Sequence, residues 1–257
     1  MVTDDGVRLQ VRVDGPEGAP ALLLSHVLGL NNGMWAFQAH ALASRYRVIR
    51  YDMRGHGESE APAGFYSMER LGRDALCVLD SLGIPRAAIC GLSIGGMVSQ
   101  WVAANAAPRV TKLVLANTST YMGPPQVLQN RIETVLSKGM AAVADILMER
   151  WFTDGFRAAR PDRVDFIRSM LLSTPAQGYA GCCAAVRDMD HRSILGAITA
   201  PTLVIGGRFD ASTPLAKAEE LAAAITGADL CVLDTAHLSS IEREGEFTAA
   251  LNEFLGR

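Results

Sequence analysis

No stretch of this chain is apolar for long enough to cross a bilayer as a helix, no basic run appears, and basic residues are not interleaved with aromatic ones. Those absences argue against a membrane-spanning segment and against a polynucleotide partner. With 24 basic and 27 acidic side chains the formal charge is only −3, too near neutral to recruit a polyanion. The first residues, Met1-Val2-Thr3-Asp4-Asp5-Gly6, are acidic where a secretory leader needs a basic start and an apolar core, so a cytoplasmic location is expected. Cysteine is scarce and unpaired in number. Cys77, Cys90, Cys182, Cys183 and Cys231 show neither Cys-x-x-Cys nor Cys-His spacing, so neither a disulfide framework nor a zinc site is expected, and no cofactor is called for. Internal repeats and low-complexity tracts are missing as well.

What remains is core-forming material: 257 residues, 49% hydrophobic and 20% charged, enough for one large domain or a domain carrying an insertion. Short runs rich in leucine, valine and isoleucine recur at Val7 to Val13, Ala21 to Ser25, Arg47 to Tyr51, Ala87 to Cys90, Lys112 to Ala116, Thr202 to Gly206 and Leu230 to Leu233. Most are separated by segments of helical period. Near-continuous apolar strands alternating with helices predict an α/β fold, a mostly parallel sheet with helices on both faces. The alternation of Val7, Leu9, Val11 and Val13 suggests a hairpin strand at an antiparallel edge.

From about Thr118 to Ala200 the rhythm breaks into helix-like segments punctuated by Gly123-Pro124-Pro125, Pro161 and Pro175. The strand pattern resumes at Pro201-Thr202-Leu203-Val204-Ile205. Residues 1–117 and 201–257 are therefore read as the core, and residues 118–200 as a helical lid on the side where open α/β sheets bind ligands.

The run Cys90-Gly91-Leu92-Ser93-Ile94-Gly95-Gly96-Met97 places a serine between glycines, after a strand-like segment and before a helix-like one. A Gly-x-Ser-x-Gly match alone arises by chance in about one chain in ten of this length. Its setting makes it a nucleophile elbow, a strained strand-to-helix turn that pushes the hydroxyl out to meet base and substrate. Of the five histidines, His237 follows the last strand-like run and so lies at the same sheet edge as Ser93. His40 and His191 fall in helix-like segments and His56 in a turn, and all three are read as structural.

Asp210 lies on the loop after the penultimate strand, where its carboxylate can fix the His237 tautomer. Asp234, three residues before His237, is too constrained locally to serve as the acid. The order Ser93, Asp210, His237 differs from the orders of chymotrypsin and subtilisin. For an oxyanion site, the N–H of Ile94 is expected to join that of Leu28 on the loop Ser25-His26-Val27-Leu28-Gly29, with Val27 as the competing donor and His26 as a brace.

From Val7 to Phe254 the chain resembles the α/β-hydrolase superfamily, including Tyr51-Asp52-Met53-Arg54-Gly55-His56-Gly57-Glu58-Ser59. More specifically, Gly91 to Trp101, Ala116-Asn117-Thr118-Ser119, Ala236-His237-Leu238-Ser239, Arg150-Trp151-Phe152-Thr153 and Cys182 to Asp190 are similar to 3-oxoadipate enol-lactonases of bacterial aromatic catabolism. Two positions depart from that pattern. His26-Val27 stands where an asparagine-serine pair is usual, and Ser240 where asparagine is common.

The resemblance implies a serine hydrolase that opens 3-oxoadipate enol-lactone to 3-oxoadipate in protocatechuate and catechol catabolism. It implies a small anionic lactone as substrate, whose acetate arm needs a cationic partner. Arg131 and Arg187 border the apolar faces of lid helices and are the candidates, with Trp151 as wall or donor. Other readings compatible with the sequence are a general small-ester, lactone or carbon–carbon bond hydrolase with perhydrolase side activity, and a non-catalytic ligand receptor on the same fold.

Overall fold

A computed structural model describes all residues, Met1–Arg257. The apolar runs become seven strands: β1 (Val11–Asp14), β2 (Ala21–Ser25), β3 (Arg47–Tyr51), β4 (Ala87–Leu92), β5 (Val110–Ala116), β6 (Thr202–Gly207) and β7 (Asp229–Leu233). They form one sheet in the order β1-β3-β2-β4-β5-β6-β7. Every pairing is parallel except β1 on β3. All residues of β4 and β6 are buried, as strands covered on both faces must be.

The first apolar run behaves differently from the expected hairpin. Only Val11–Asp14 is strand, and it pairs with β3 in the register Val11 to Tyr51, not with β2, whose two edges are taken by β3 and β4. Val7 and Leu9 are buried all the same. A turn closed by Thr3 N–H to Val7 C=O and Leu9 N–H to Met1 C=O holds them, and Asp52 N–H to Gln10 C=O and Glu60 N–H to Arg8 C=O run the segment beside the chain that follows β3, so their alternation reports burial outside the strand itself.

Six helices complete the sheet layers, and the first three are α1 (Ala36–Leu42), α2 (Met68–Ser81) and α3 (Ile94–Asn105). Between β5 and β6 run five helices and no strand: α4 (Gln126–Lys138), α5 (Ala141–Trp151), α6 (Asp154–Ala159), α7 (Pro161–Ser173) and α8 (Ala176–Arg187). The remaining three are α9 (Leu215–Ala224), α10 (Ser239–Glu242) and α11 (Glu244–Gly256). Leu128, Ile132 and Val135 form the buried stripe of α4, which packs on the almost wholly apolar, buried face of α8. A single bridge between Tyr121 and Asp190 closes the base of this five-helix segment.

The geometry that matters for chemistry is the carboxyl edge of the sheet. The ends of β2, β4, β5, β6 and β7 deliver Ser25, Ser93, Asn117, Asp210 and His237 to loops on that edge, and the five-helix segment leaves and returns there. Beneath it, the buried Arg54 guanidinium ties the loop after β3 to Asp74 of α2 at 2.5 Å and to Asp5 at 3.0 Å. No helix is long and apolar enough to cross a membrane.

Candidate active site

Ser93 joins β4 to α3 with φ 58° and ψ −121°, a conformation that side-chain-bearing residues rarely adopt. Its neighbours hold it there. The Ser93 N–H donates to Ala116 C=O at 3.0 Å, and its carbonyl accepts from Thr118 Oγ1 at 2.7 Å. The flanking glycines are required by contact: a Cβ on Gly91 would run into the Gly95 backbone and the Ser99 hydroxyl, and one on Gly95 into the carbonyl of Ser25. The turn is therefore as tight as the sequence pattern demanded.

His237 lies on the loop after β7 with Nδ1 2.8 Å from Asp210 Oδ2, and both side chains are almost fully buried. Asp210 accepts four further hydrogen bonds. Oδ1 takes the N–H groups of Ser212 (2.7 Å) and Thr213 (2.9 Å), and Oδ2 takes Thr213 Oγ1 (2.8 Å) and Asn117 Nδ2 (2.9 Å). Burial alone pushes this carboxyl up. The charge and hydrogen bond of His237, with the Thr213 and Asn117 donors, outweigh burial and hold it below the usual carboxylate range. An ionised Asp210 accepts only, so Nδ1 of His237 carries its proton and Nε2 is the ring nitrogen free for a substrate or serine. Asp234, by contrast, is exposed and paired with Arg208 at 2.6 Å.

Ser93 and His237 line the same cavity, of about 200 Å³, together with Val27, Leu28 and Ile94. The N–H of Val27 is turned onto Met34 Sδ at 3.4 Å, whereas the Leu28 N–H has no acceptor in the protein. Ile94 is the first residue of α3, so its N–H lacks an intrahelical partner and points with the positive end of the helix. Leu28 and Ile94 thus both bring a free donor to the cavity wall beside Ser93.

Two histidines grip the loop that carries Leu28. His26 Nδ1 donates to Val27 C=O at 2.8 Å while its Nε2 accepts from Met53 N–H at 2.8 Å. His56 Nε2 accepts from Gly29 N–H at 2.9 Å. His26 so occupies the departure from the usual asparagine-serine pair with a working brace, and His56 does more than fill a turn.

The cavity walls are apolar, with Met97, Leu128, Leu147 and Val186 among them, and they also include Trp151, Tyr179, Arg131 and Arg150. Arg187 does not reach it. Its guanidinium is held outside by Asp188 (2.6 Å) and Gln129 (2.6 Å) and stacks over Phe65, so the expectation that it binds substrate is corrected. No group of three or more His, Cys, Asp or Glu side chains is placed to hold a metal ion.

The model of the alpha/beta hydrolase fold family matches residues 20–244. The chain belongs to that family. Over 256 residues this hydrolase is 37% identical to 3-oxoadipate enol-lactonase 2 of Acinetobacter baylyi, covering 100% of this chain and 96% of the relative. Among solved structures, the enol-lactonase from Burkholderia xenovorans superposes with a TM-score of 0.96 at 41% identity, over 98% of this chain and 97% of that one. A thermophilic esterase from Thermogutta terrifontis, solved with malate bound, gives 0.93 at 30% identity, over 99% and 95%.

Sequence reasoning about the hydrolase missed Asn117, Thr213, His56 and Arg150 as site residues. Asn117 has φ 42° and serves three loops at once, donating from Nδ2 to Asp210 and to Ala236 C=O while Oδ1 accepts from Ser239 Oγ at 2.5 Å. Its place at the carboxyl end of β5 was the available signal. His191 lies in the loop after α8, not in a helix, buried against Gln100.

Burial pushes His26 and His191 down to about 4 and His56 to about 3. Unfolded imidazoles titrate near 6.5, so between about pH 6.5 and 4 the unfolded chain binds more protons and stability falls as the pH falls. Each histidine contributes up to about 1.4 kcal/mol per pH unit in that window. Urea midpoints measured across it are expected to drop steeply on acidification; a flat profile would contradict neutral, buried imidazoles.

Proposed function

We propose that this hydrolase opens 3-oxoadipate enol-lactone to 3-oxoadipate in the cytoplasm, through an acyl-enzyme on Ser93. The class is that of a carboxylic ester hydrolase, the class of its full-length enol-lactonase relatives. The observation that carries the finer reading is one small cavity that joins the elbow serine, the Asp210-held imidazole and a cation without a counter-ion. Arg131 is flanked by Tyr179 and Cys183, whose own ionisation burial pushes up to about 12 and about 11, so at neutral pH its charge is uncompensated within the protein. The guest that completes such a site is a small carboxylate. The malate held by the Thermogutta esterase is of that kind.

The reaction follows from the geometry. His237 Nε2 takes the Ser93 proton as Oγ attacks the ring carbonyl, and Asp210 stabilises the imidazolium. The Leu28 and Ile94 N–H groups receive the developing oxyanion. Collapse breaks the ring C–O bond, and the imidazolium returns its proton to the enolate oxygen, which stays tethered in the acyl group and ketonises; His237 is neutral again and ready to act as base. Water, deprotonated by His237, then hydrolyses the acyl-enzyme. The five-helix segment 118–200 acts as the lid, its residues Leu128, Leu147 and Trp151 excluding bulk water from the ring, while Arg131 holds the acetate arm.

Two measurements test this reading. Asp210→Asn keeps the shape but loses the tautomer, and turnover of the lactone is expected to fall by up to about 10⁴, while Asp234→Asn is nearly silent; the reverse pattern would displace Asp210 as the acid. Arg131→Met should lower the preference for the anionic lactone over a neutral ester by roughly ten- to hundredfold. Arg187→Met, outside the cavity, should leave that preference intact. Equal losses on both substrates in Arg131→Met would remove the carboxylate from the account.

A further inference from the structure

Eight arginines lie between β5 and β6, and they fall into two groups. Arg157, Arg160, Arg163, Arg168, Arg187 and Arg192 are all ion-paired, with Asp154, Asp162, Glu244, Asp145, Asp188 and Asp190. The two without a carboxylate, Arg131 and Arg150, are the two that line the cavity of Ser93 and His237. No aspartate or glutamate lines that cavity. It therefore holds two cations, no anion and mostly apolar walls, in a space of about 200 Å³ that brings any occupant close to both.

The two arginines are moored to different parts of the site. Arg131 sits in the middle of α4 beside Tyr179 of α8. Arg150 is the penultimate residue of α5, and the next residue, Trp151, accepts the N–H of Leu238 at 3.1 Å. Leu238 follows His237 directly, so Arg150 is tied to the histidine loop, where acyl transfer ends.

We infer that the cavity is built for a dianion, with Arg131 taking the carboxylate that the substrate brings and Arg150 taking the one that the reaction makes. This rests on the reading of the site as one for an acid-bearing lactone. Addition of water across the ring acyl C–O bond yields a carboxylic acid, which ionises and gives up one proton, and an enol, which becomes a ketone. A monoanion enters and a dianion leaves. The second charge appears at the carbon that Ser93 held, in the cavity that Arg150 lines together with His237. A site of this kind binds short dicarboxylates more tightly than the matching mono-acids, and its own product inhibits it.

The test uses the full chain turning over 4-nitrophenyl acetate, with adipate and monomethyl adipate as competing inhibitors. Adipate is expected to inhibit about tenfold more tightly than its monomethyl ester, the scale of one charge-assisted hydrogen bond. Arg150→Met should bring that ratio close to one, Arg150→Lys should restore most of it, and Arg131→Met should weaken both inhibitors. Equal inhibition by the two compounds in the parent, or an unchanged ratio in Arg150→Met, would overturn the role of Arg150; weakening of monomethyl adipate by Arg131→Met would then still uphold the acid-bearing substrate. Failure of both compounds to inhibit the parent would overturn that reading and this inference together. The parent comparison needs no variant, so a poorly folding Arg150→Met leaves the test intact.

Discussion

Asp210 is a charge placed where water cannot reach it, and five donors from three loops take the place of water: Asn117 after β5, Ser212 and Thr213 after β6, and His237 after β7. An unpaired carboxylate there would take up a proton instead of staying ionised. Satisfying it welds the ends of three neighbouring strands into one unit and sets the tautomer of His237. The same oxygen that orients the imidazole is thus the point at which the sheet edge is held together. Asn117 and Thr213 thus bear on His237 through Asp210.

A second constraint comes from the other side of Ser93. The chain can pass from β4 into α3 only because Gly91 and Gly95 let backbone meet backbone, with Gly95 seated on the carbonyl of Ser25. Ser25 ends β2, and the loop that follows carries Leu28. Elbow and the loop that carries Leu28 are therefore positioned by one contact, and His26 and His56 lock that loop from behind as neutral imidazoles. Backbone strain at Ser93, free N–H groups at Leu28 and Ile94, and an oriented Nε2 on His237 all face one small apolar space.

Strands β2 to β6, most of whose residues are buried, show themselves as apolar runs, and the half-buried edge strand β7 keeps a short one, so six of the seven were legible within two residues at each end. The first was legible as an antiparallel edge strand but not in its start, because Val7 and Leu9 keep the alternation of a strand outside β1. Ser93, Asp210 and His237 could be placed at one edge from loop positions alone, since each follows a strand of the sheet. Partners distant in sequence could not. Asn117 meets Asp210 across 93 residues, and helix periodicity puts Arg131 and Arg187 on equivalent borders of apolar stripes without revealing that Asp188 and Gln129 capture Arg187. Arg150 had no such apolar border to mark it, and only the fold brings it to the cavity.

The central claim is that Ser93 is the activated nucleophile of this edge. It is tested most directly by labelling with a fluorophosphonate probe and locating the adduct by peptide mass spectrometry, in the parent and in Ser93→Ala. The account predicts one adduct, on the peptide carrying Ser93, and no labelling or lactone turnover in a Ser93→Ala protein that retains its fold. Labelling of another serine in that variant, with turnover retained, would contradict it.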